Sequence, residues 1–331
     1  MDVPQLLIEG HYSEQDLDQL RKTVPIWRTT DILESQLAAL FDVRHPTSAN
    51  EPDYVFKKVK FLRAHGAAQK MVSGNWIYFP WDRHLIHTVN RSQFYELMFR
   101  TNPSGVRPSQ QKTLLNAKIA IIGLRWGGDM AVALAHSGIG RHFVLADPTF
   151  STNWSISDNL WSHSKLGLFP MEAVCRQLFD INPYLEIDTF ETDMDAYSIT
   201  RIAGNARKPQ VIIDLEADPQ VKIEIRKTAQ SLQIPVISVL TTSTGYQFTE
   251  DRFDLNQTAP YFRGKFGATA ADILSHPGYQ TAITISPRTA ESMHLAHECI
   301  QTVTAAILGS PIIASASRPL VMKRSTLTRS K

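Results

Sequence analysis

The spacing of apolar positions changes near residue 110. Before it, Leu17 and Leu20 follow Ser13, and Leu33, Leu37 and Leu40 follow Asp31. This predicts two helices capped by Ser13 and Asp31, with Pro25 between them. After the polar stretch HPTSANEPD (45–53) comes YVFKKVKFLRAHG, and then NWIYFPWDRH (75–84), which alternates like a strand until Pro80 stops it. RTNPSGVRPS (100–109) holds two prolines, one glycine and two serines and reads as a linker. Residues 1–105 are therefore expected to form a small α+β domain.

Beyond the linker, strands apolar on both faces alternate with amphipathic helices. KIAIIG (118–123) is a buried strand ending in glycine, MAVALAHSG (130–138) a helix ending in glycine, and HFVLAD (142–147) a second strand. The pattern continues through a helix at MEAVCRQLF (171–179), strands at LEIDTF (185–190) and VIID (211–214), a helix at VKIEIRKTAQSL (221–232) and a strand at VISVL (236–240). Such alternation predicts an α/β fold, a doubly wound, mostly parallel Rossmann-like sheet over residues 112–264. Residues 265–317 read as a helical C-terminal segment, with helices in 268–278 and 291–309, and 318–331 as a basic tail.

Composition adds boundaries. Of 331 residues, 43% are hydrophobic and 20% charged, enough apolar material for a real core. Thirty-four Lys and Arg against 32 Asp and Glu leave a charge of +2, so bulk electrostatics point to neither a nucleic-acid nor a membrane partner. Two cysteines, Cys175 and Cys299, make no zinc site or disulfide framework, so no zinc is expected and a reducing, cytoplasmic setting is. The N-terminus lacks the pattern of a secretory signal, and no apolar run approaches the ~20 residues of a membrane span.

The turn after the first of these strands is Gly123-Leu124-Arg125-Trp126-Gly127-Gly128-Asp129. A nucleotide loop of this kind needs one glycine for the turn, a second for backbone approach to phosphate and a third for helix packing. Gly123 and Gly128 stand at the outer spacing and Arg125 holds the middle place, where its guanidinium either blocks a phosphate or contacts it. Asp147, at the end of the next strand, suits ribose hydroxyls. A tight structural turn with no ligand is the other reading of the same residues.

The wider segment is more specific. LLNAKIAIIGLRWGGDMAVALAHSGIGRHFVLADP, followed by INPYLEI and by VIID with ADPQVKIEIRKTAQSLQIPVIS, resembles the ThiF/MoeB and ubiquitin-activating-enzyme superfamily across about half the chain. The small domain ahead of it is similar to the layouts of the microcin C activating enzyme and of ThiF–nitroreductase fusions. The resemblance implies adenylation of a carboxylate on a peptide or small protein, with ATP and magnesium as cofactors and a homodimeric assembly. Gly123, Arg125, Gly127, Gly128, Asp147 and Asp218 are then the nucleotide-site residues, with Asp218 near magnesium and Asp214 and Glu216 beside it.

Other family positions are altered. Thr149 stands for the second Asp of the strand-end signature, Ser155 for its Asn and Asp158 for the Arg that meets the polyphosphate, while the family lysine falls near Pro170. An Arg-to-Asp change reverses charge against an anion, so ATP and magnesium binding is expected to be weak or lost. Asp214, Glu216 and Asp218 are otherwise strand-end and helix-capping acids.

Further candidates are His294 and His297, three apart on a helix, and His84 and His87 after the aromatic strand. Trp76, Tyr78, Phe79 and Trp81 read as a peptide groove, a strand-addition edge or simply core, and Cys175 as packing. Three functions follow: an altered-site adenylyltransferase, a non-catalytic binding or scaffold derivative of that fold, or another dinucleotide-fold enzyme such as a dehydrogenase. The missing cations favour the second.

Overall fold

The computed structural model describes residues 2–67, 72–99, 106–148, 167–204, 208–242, 245–276 and 289–309. The chain divides into two compact units, Met1–Val106 and Arg107–Lys331.

In the first unit, β1 (Gln5–Leu7), β2 (Arg28–Asp31), β3 (Asn75–Phe79) and β4 (His84–Thr88) form a sheet in the order β1-β3-β4-β2. β2 runs parallel to β4, and the other pairs are antiparallel. Helix α1 (Glu14–Thr23) starts at a reciprocal capping box between Ser13 and Asp16, and its Leu17 and Leu20 pack on Trp76, Tyr78 and Leu85. In α2 (Leu33–Arg44) the cap position falls on Ile32, one residue later than expected. Asp31 still serves the helix start, its Oδ1 accepting the Leu33 N–H at 3.1 Å. YVFKKVKFL, given no element by its pattern, is helix α3 (Tyr54–Leu62), and α4 (Arg91–Met98) is capped by Asn90. All five β3 residues are buried, so this strand is covered on both faces rather than alternating.

The second unit opens with α5 (Pro108–Leu115), whose first two residues fall in the stretch expected to be linker. Pro108 at its first position suits a helix start, where the missing N–H costs nothing. Then follow β5 (Lys118–Ile122), α6 (Leu124–His136), β6 (His142–Ala146), α7 (Pro170–Ile181), β7 (Glu186–Phe190), α8 (Ala196–Gly204), β8 (Val211–Asp214), α9 (Pro219–Leu232), β9 (Val236–Thr242) and β10 (Gly245–Asp251). Helices α10 (Ala270–Ser275) and α11 (Thr289–Leu308) complete it.

The sheet order is β10-β9-β8-β5-β6-β7, parallel except for the edge strand β10. Helix α8 and strand β10 go beyond the sequence pattern. α8 supplies the crossover that a parallel β7-to-β8 connection requires, and β10 is an edge strand of mixed polarity.

Alternate strand residues divide the core. Ala120, Ile122, Val144, Ala146 and Ile212 pack with Ile199 and Ile202 of α8 and Ile225 and Ala229 of α9. Ile121 points the other way, toward Gly127 of α6. The sheet is thus Rossmann-like and covered on both faces. No helix among the described residues is long and apolar enough to cross a membrane.

Candidate functional site

Strand order reverses at β5, which has β6 on one side and β8 on the other. Ligands of open α/β sheets bind outside the carboxyl ends of the strands at such a switch point. Ile122 is in register with both Ala146 and Asp214, so Gly123, Asp147 and Leu215 leave the sheet at one level. Backbone bonds continue that ladder: Gly123 donates to Ala146 and Leu215 donates to Ile122, both at 2.8 Å.

Gly123 has φ +90°, and a Cβ there would lie 2.8 Å from the Leu215 carbonyl, so backbone approaches backbone directly. A close helix-to-strand contact falls at Gly127. A Cβ on Gly127 would meet Ile121 Cγ2 at 2.6 Å. Helix α6 begins at Leu124, directly after the turn, which brings Gly127 over β5.

Asp147 is buried, and its Oδ2 accepts the Leu124 N–H at 2.5 Å. The first amide of α6, at the positive end of the helix dipole, is therefore already served by a carboxylate of the chain. Arg125 is exposed on the first turn of α6, and Asp129 on the next is buried.

Past β8 the acids separate by role. Asp214 is fully buried and binds Lys222 Nζ at 3.1 Å, Arg226 Nη1 at 2.7 Å and Ser238 Oγ at 2.8 Å. Burial opposes its charge, but Lys222 and Arg226 outweigh that and hold the carboxyl below the usual carboxylate range. Arg226 also donates to Asp251 Oδ2 at 2.9 Å and stacks 3.5 Å over the Phe262 ring. Glu216 is partly buried; burial first, then the Asp147 and Asp214 carboxylates, push it up to about 7 from an ordinary 4.5. Asp218 is exposed and caps α9, accepting the Gln220 N–H at 2.8 Å.

Of the six expected site residues, Gly123, Gly127 and Asp147 come together at the strand ends. Arg125 and Gly128 lie on the first turns of α6, and Asp218 lies at the start of α9. Sequence reasoning missed Lys222 and Arg226. Their spacing of four on α9 was the available signal, since it puts both on one face of the helix.

Pro170 opens α7 at its first position and is buried. Thr149, Ser155 and Asp158 lie outside the described residues, as does the basic tail.

His84 and His87 are buried in the sheet of the first unit. His84 sits in a cluster with Arg28 and Thr30, and burial and then Arg28 hold it below the usual histidine range. The His87 ring stacks on Trp76 at 4.1 Å, and its Nε2 lies 2.7 Å from the Ser73 carbonyl. Trp76, Tyr78 and Phe79 are buried in the sheet, and Trp81 follows it in the turn. His297 lies 2.9 Å from the Gln301 side chain; the His294 side chain is outside the described set. Among the described residues no cluster of three or more His, Cys, Asp or Glu stands ready for a metal ion.

The chain matches no protein-family model. A curated relative, the uncharacterized protein MT1398 of Mycobacterium tuberculosis (strain CDC 1551 / Oshkosh), is 23% identical over 199 residues, or 60% of this chain and 27% of that protein. The chain thus spans about a quarter of the length of this relative. Among solved structures, Escherichia coli MccB with MccA-N7isoASN is 16% identical and matches 85% of this chain and 81% of its own, with a TM-score of 0.50. PaaA is 18% identical, with coverages of 67% and 65% and a TM-score of 0.48, so the chain spans less than two thirds of PaaA. TcdA (CsdL) is 15% identical, with coverages of 63% and 92% and a TM-score of 0.46. At this level of identity the likeness to MccB is one of fold.

Proposed function

We propose that this protein is a non-catalytic derivative of the adenylyltransferase fold that binds a peptide or small protein, with a crevice that takes ATP weakly or not at all. The observation that carries the reading is the charge around the strand ends. Asp147 already occupies the Leu124 amide, and Lys222 and Arg226 are spent on Asp214 and Asp251. Arg125 is exposed on the first turn of α6. Asp218 is turned to capping α9. This donor set does not fit a magnesium triphosphate, whose transferred group needs positioned positive charge.

The peptide class of partner is taken from MccB, which has been solved with N-formylated MccA and also with ATP. A homodimer is part of the same proposal, and a clean monomer by light scattering contradicts it.

Calorimetry of ATP against the whole chain, with and without magnesium, tests the crevice. The expected result is no heat or millimolar binding that Arg125→Ala abolishes. Micromolar magnesium-ATP affinity indifferent to Arg125→Ala overturns the reading. Pyrophosphate exchange driven by a peptide carboxylate establishes the altered-site adenylyltransferase instead; retention of Asp147 and Gly123 at the strand ends favours that second reading.

A further inference from the structure

Between β10 and α10 the backbone is wound the wrong way for L residues. Phe262 and Arg263 follow one another with φ +53° and +55° and ψ +31° and +30°, and Gly264 continues at φ +75°. Glycine adopts this left-handed region freely, whereas a residue with a Cβ does so only where surrounding contacts offset the strain.

Those contacts come from β10 and α9. Asp251 Oδ1 accepts the Arg263 N–H at 3.1 Å, and the Arg263 guanidinium reaches back to β10, donating to the Glu250 carbonyl at 3.0 Å and to Glu250 Oε2 at 3.3 Å. The fully buried Phe262 ring lies under the Arg226 guanidinium and packs with Ile223 of α9, Phe266 and Ile273. This small cluster is distinct from the larger one that joins α8 and α9 to the sheet.

Beyond the turn the chain is tied to itself. The Lys265 N–H donates to the Phe262 carbonyl at 3.1 Å, and Asp272 Oδ2 accepts the Ala268 N–H, the Thr269 N–H and the Thr269 hydroxyl at 3.2, 3.0 and 2.7 Å, so that α10 starts on a reciprocal capping box. Phe262, Phe266 and Ile273 are the buried residues of the whole stretch from 262 to 276. A strained turn, a self-tied body behind it and a small separate apolar seat are the parts of a segment that opens as one piece.

We propose that residues 262–276 are a strained latch on α9, which swings open by unwinding at Phe262 and Arg263, lifts α10 off Ile223 and uncovers Arg226 while the sheet stays folded. Arg226 also holds Asp214 at the end of β8, so the state of the latch bears on the charge balance at the strand ends. The latch does not depend on nucleotide binding and goes beyond the crevice reading.

Native-state hydrogen exchange of the full chain, read amide by amide, tests it. The Arg263, Lys265 and Ile273 amides are expected to exchange at least about a hundredfold faster than those of Ala120 and Ile121 on β5, with protection factors that agree with one another. Arg263→Ala removes the ties to Glu250 but keeps a Cβ in the left-handed region, and should raise the opening about tenfold. Arg263→Gly removes the same ties and the strain as well, so its opening should fall at least about threefold below that of Arg263→Ala. At a negative φ glycine would have the opposite effect, which makes the order of the two variants a readout of strain and not of lost contacts. The β5 amides should be unchanged in both. Latch amides that exchange in step with β5 overturn the proposal, and so does Arg263→Ala opening no more often than the wild type. Arg263→Gly opening as often as Arg263→Ala, or more often, shows that the turn stores no strain and likewise overturns it.

Discussion

The Asp147 carboxylate and the Leu124 amide are 23 positions apart in sequence and 2.5 Å apart in the fold, joining the end of β6 to the first turn of α6. A carboxylate at a helix N-terminus meets an unsatisfied amide and the favourable end of the dipole. Asp147→Ala should therefore cost about 1–3 kcal/mol in urea unfolding, and Asp147→Asn, which still offers an oxygen acceptor, about half as much. Equal losses for the two variants would show that side-chain packing, not the hydrogen bond, is what Asp147 contributes.

Glu216 makes folding depend on pH in a definite direction. Its folded value of about 7 lies above the ordinary 4.5, so its contribution is fully present below about pH 4.5 and is lost as pH rises through about 7. Between those limits the wild type should lose about 2–3 kcal/mol relative to Glu216→Gln. Denaturant melts of both proteins from pH 4.5 to 8 check this; parallel curves would contradict it.

The Asp214–Arg226–Asp251 chain is buried at every member. Arg226→Met removes the shared cation and leaves two carboxylates with reduced compensation, at a cost of about 3–5 kcal/mol. Because Asp251 also accepts the Arg263 N–H at 3.1 Å, the loss should extend to the turn at Phe262 and Arg263, where hydrogen exchange should speed up first.

Gly127→Ala places a methyl 2.6 Å from Ile121 Cγ2 and should destabilise by about 1–3 kcal/mol through overpacking. Ile121→Ala opens that space, so the double variant should be more stable than the sum of the two singles predicts. Simple additivity would mean that the contact is relieved elsewhere.

Cys175 and Cys299 are buried, and burial pushes both thiols up to about 12. Neither should react with Ellman's reagent at pH 8 in native protein, and both should do so in step with unfolding in guanidinium.

Local order determined much of what could be read from residues alone. The run at 118–122 ends in a glycine whose positive φ only that residue adopts without strain, and Ser13 with Asp16 makes a capping box within four residues; both are short-range effects. Both faces of the central sheet are buried, so its strands read as continuous apolar runs, which made the doubly wound architecture legible.

Tertiary structure decided the rest. GYQFTED becomes β10 by folding back antiparallel on β9, with Gly245 opposite Thr242, a pairing that its mixed polarity does not announce. Gly127 meets Ile121 because helix phase, set by where α6 starts, brings it over β5. Lys222 and Arg226 sit in a run that reads as a polar helix surface, and only the placement of Asp214, Ser238 and Asp251 around α9 turns them into buried counter-ions. The charges at the strand ends are therefore set by which distant partners each group finds, and spacing along the chain carries no record of that.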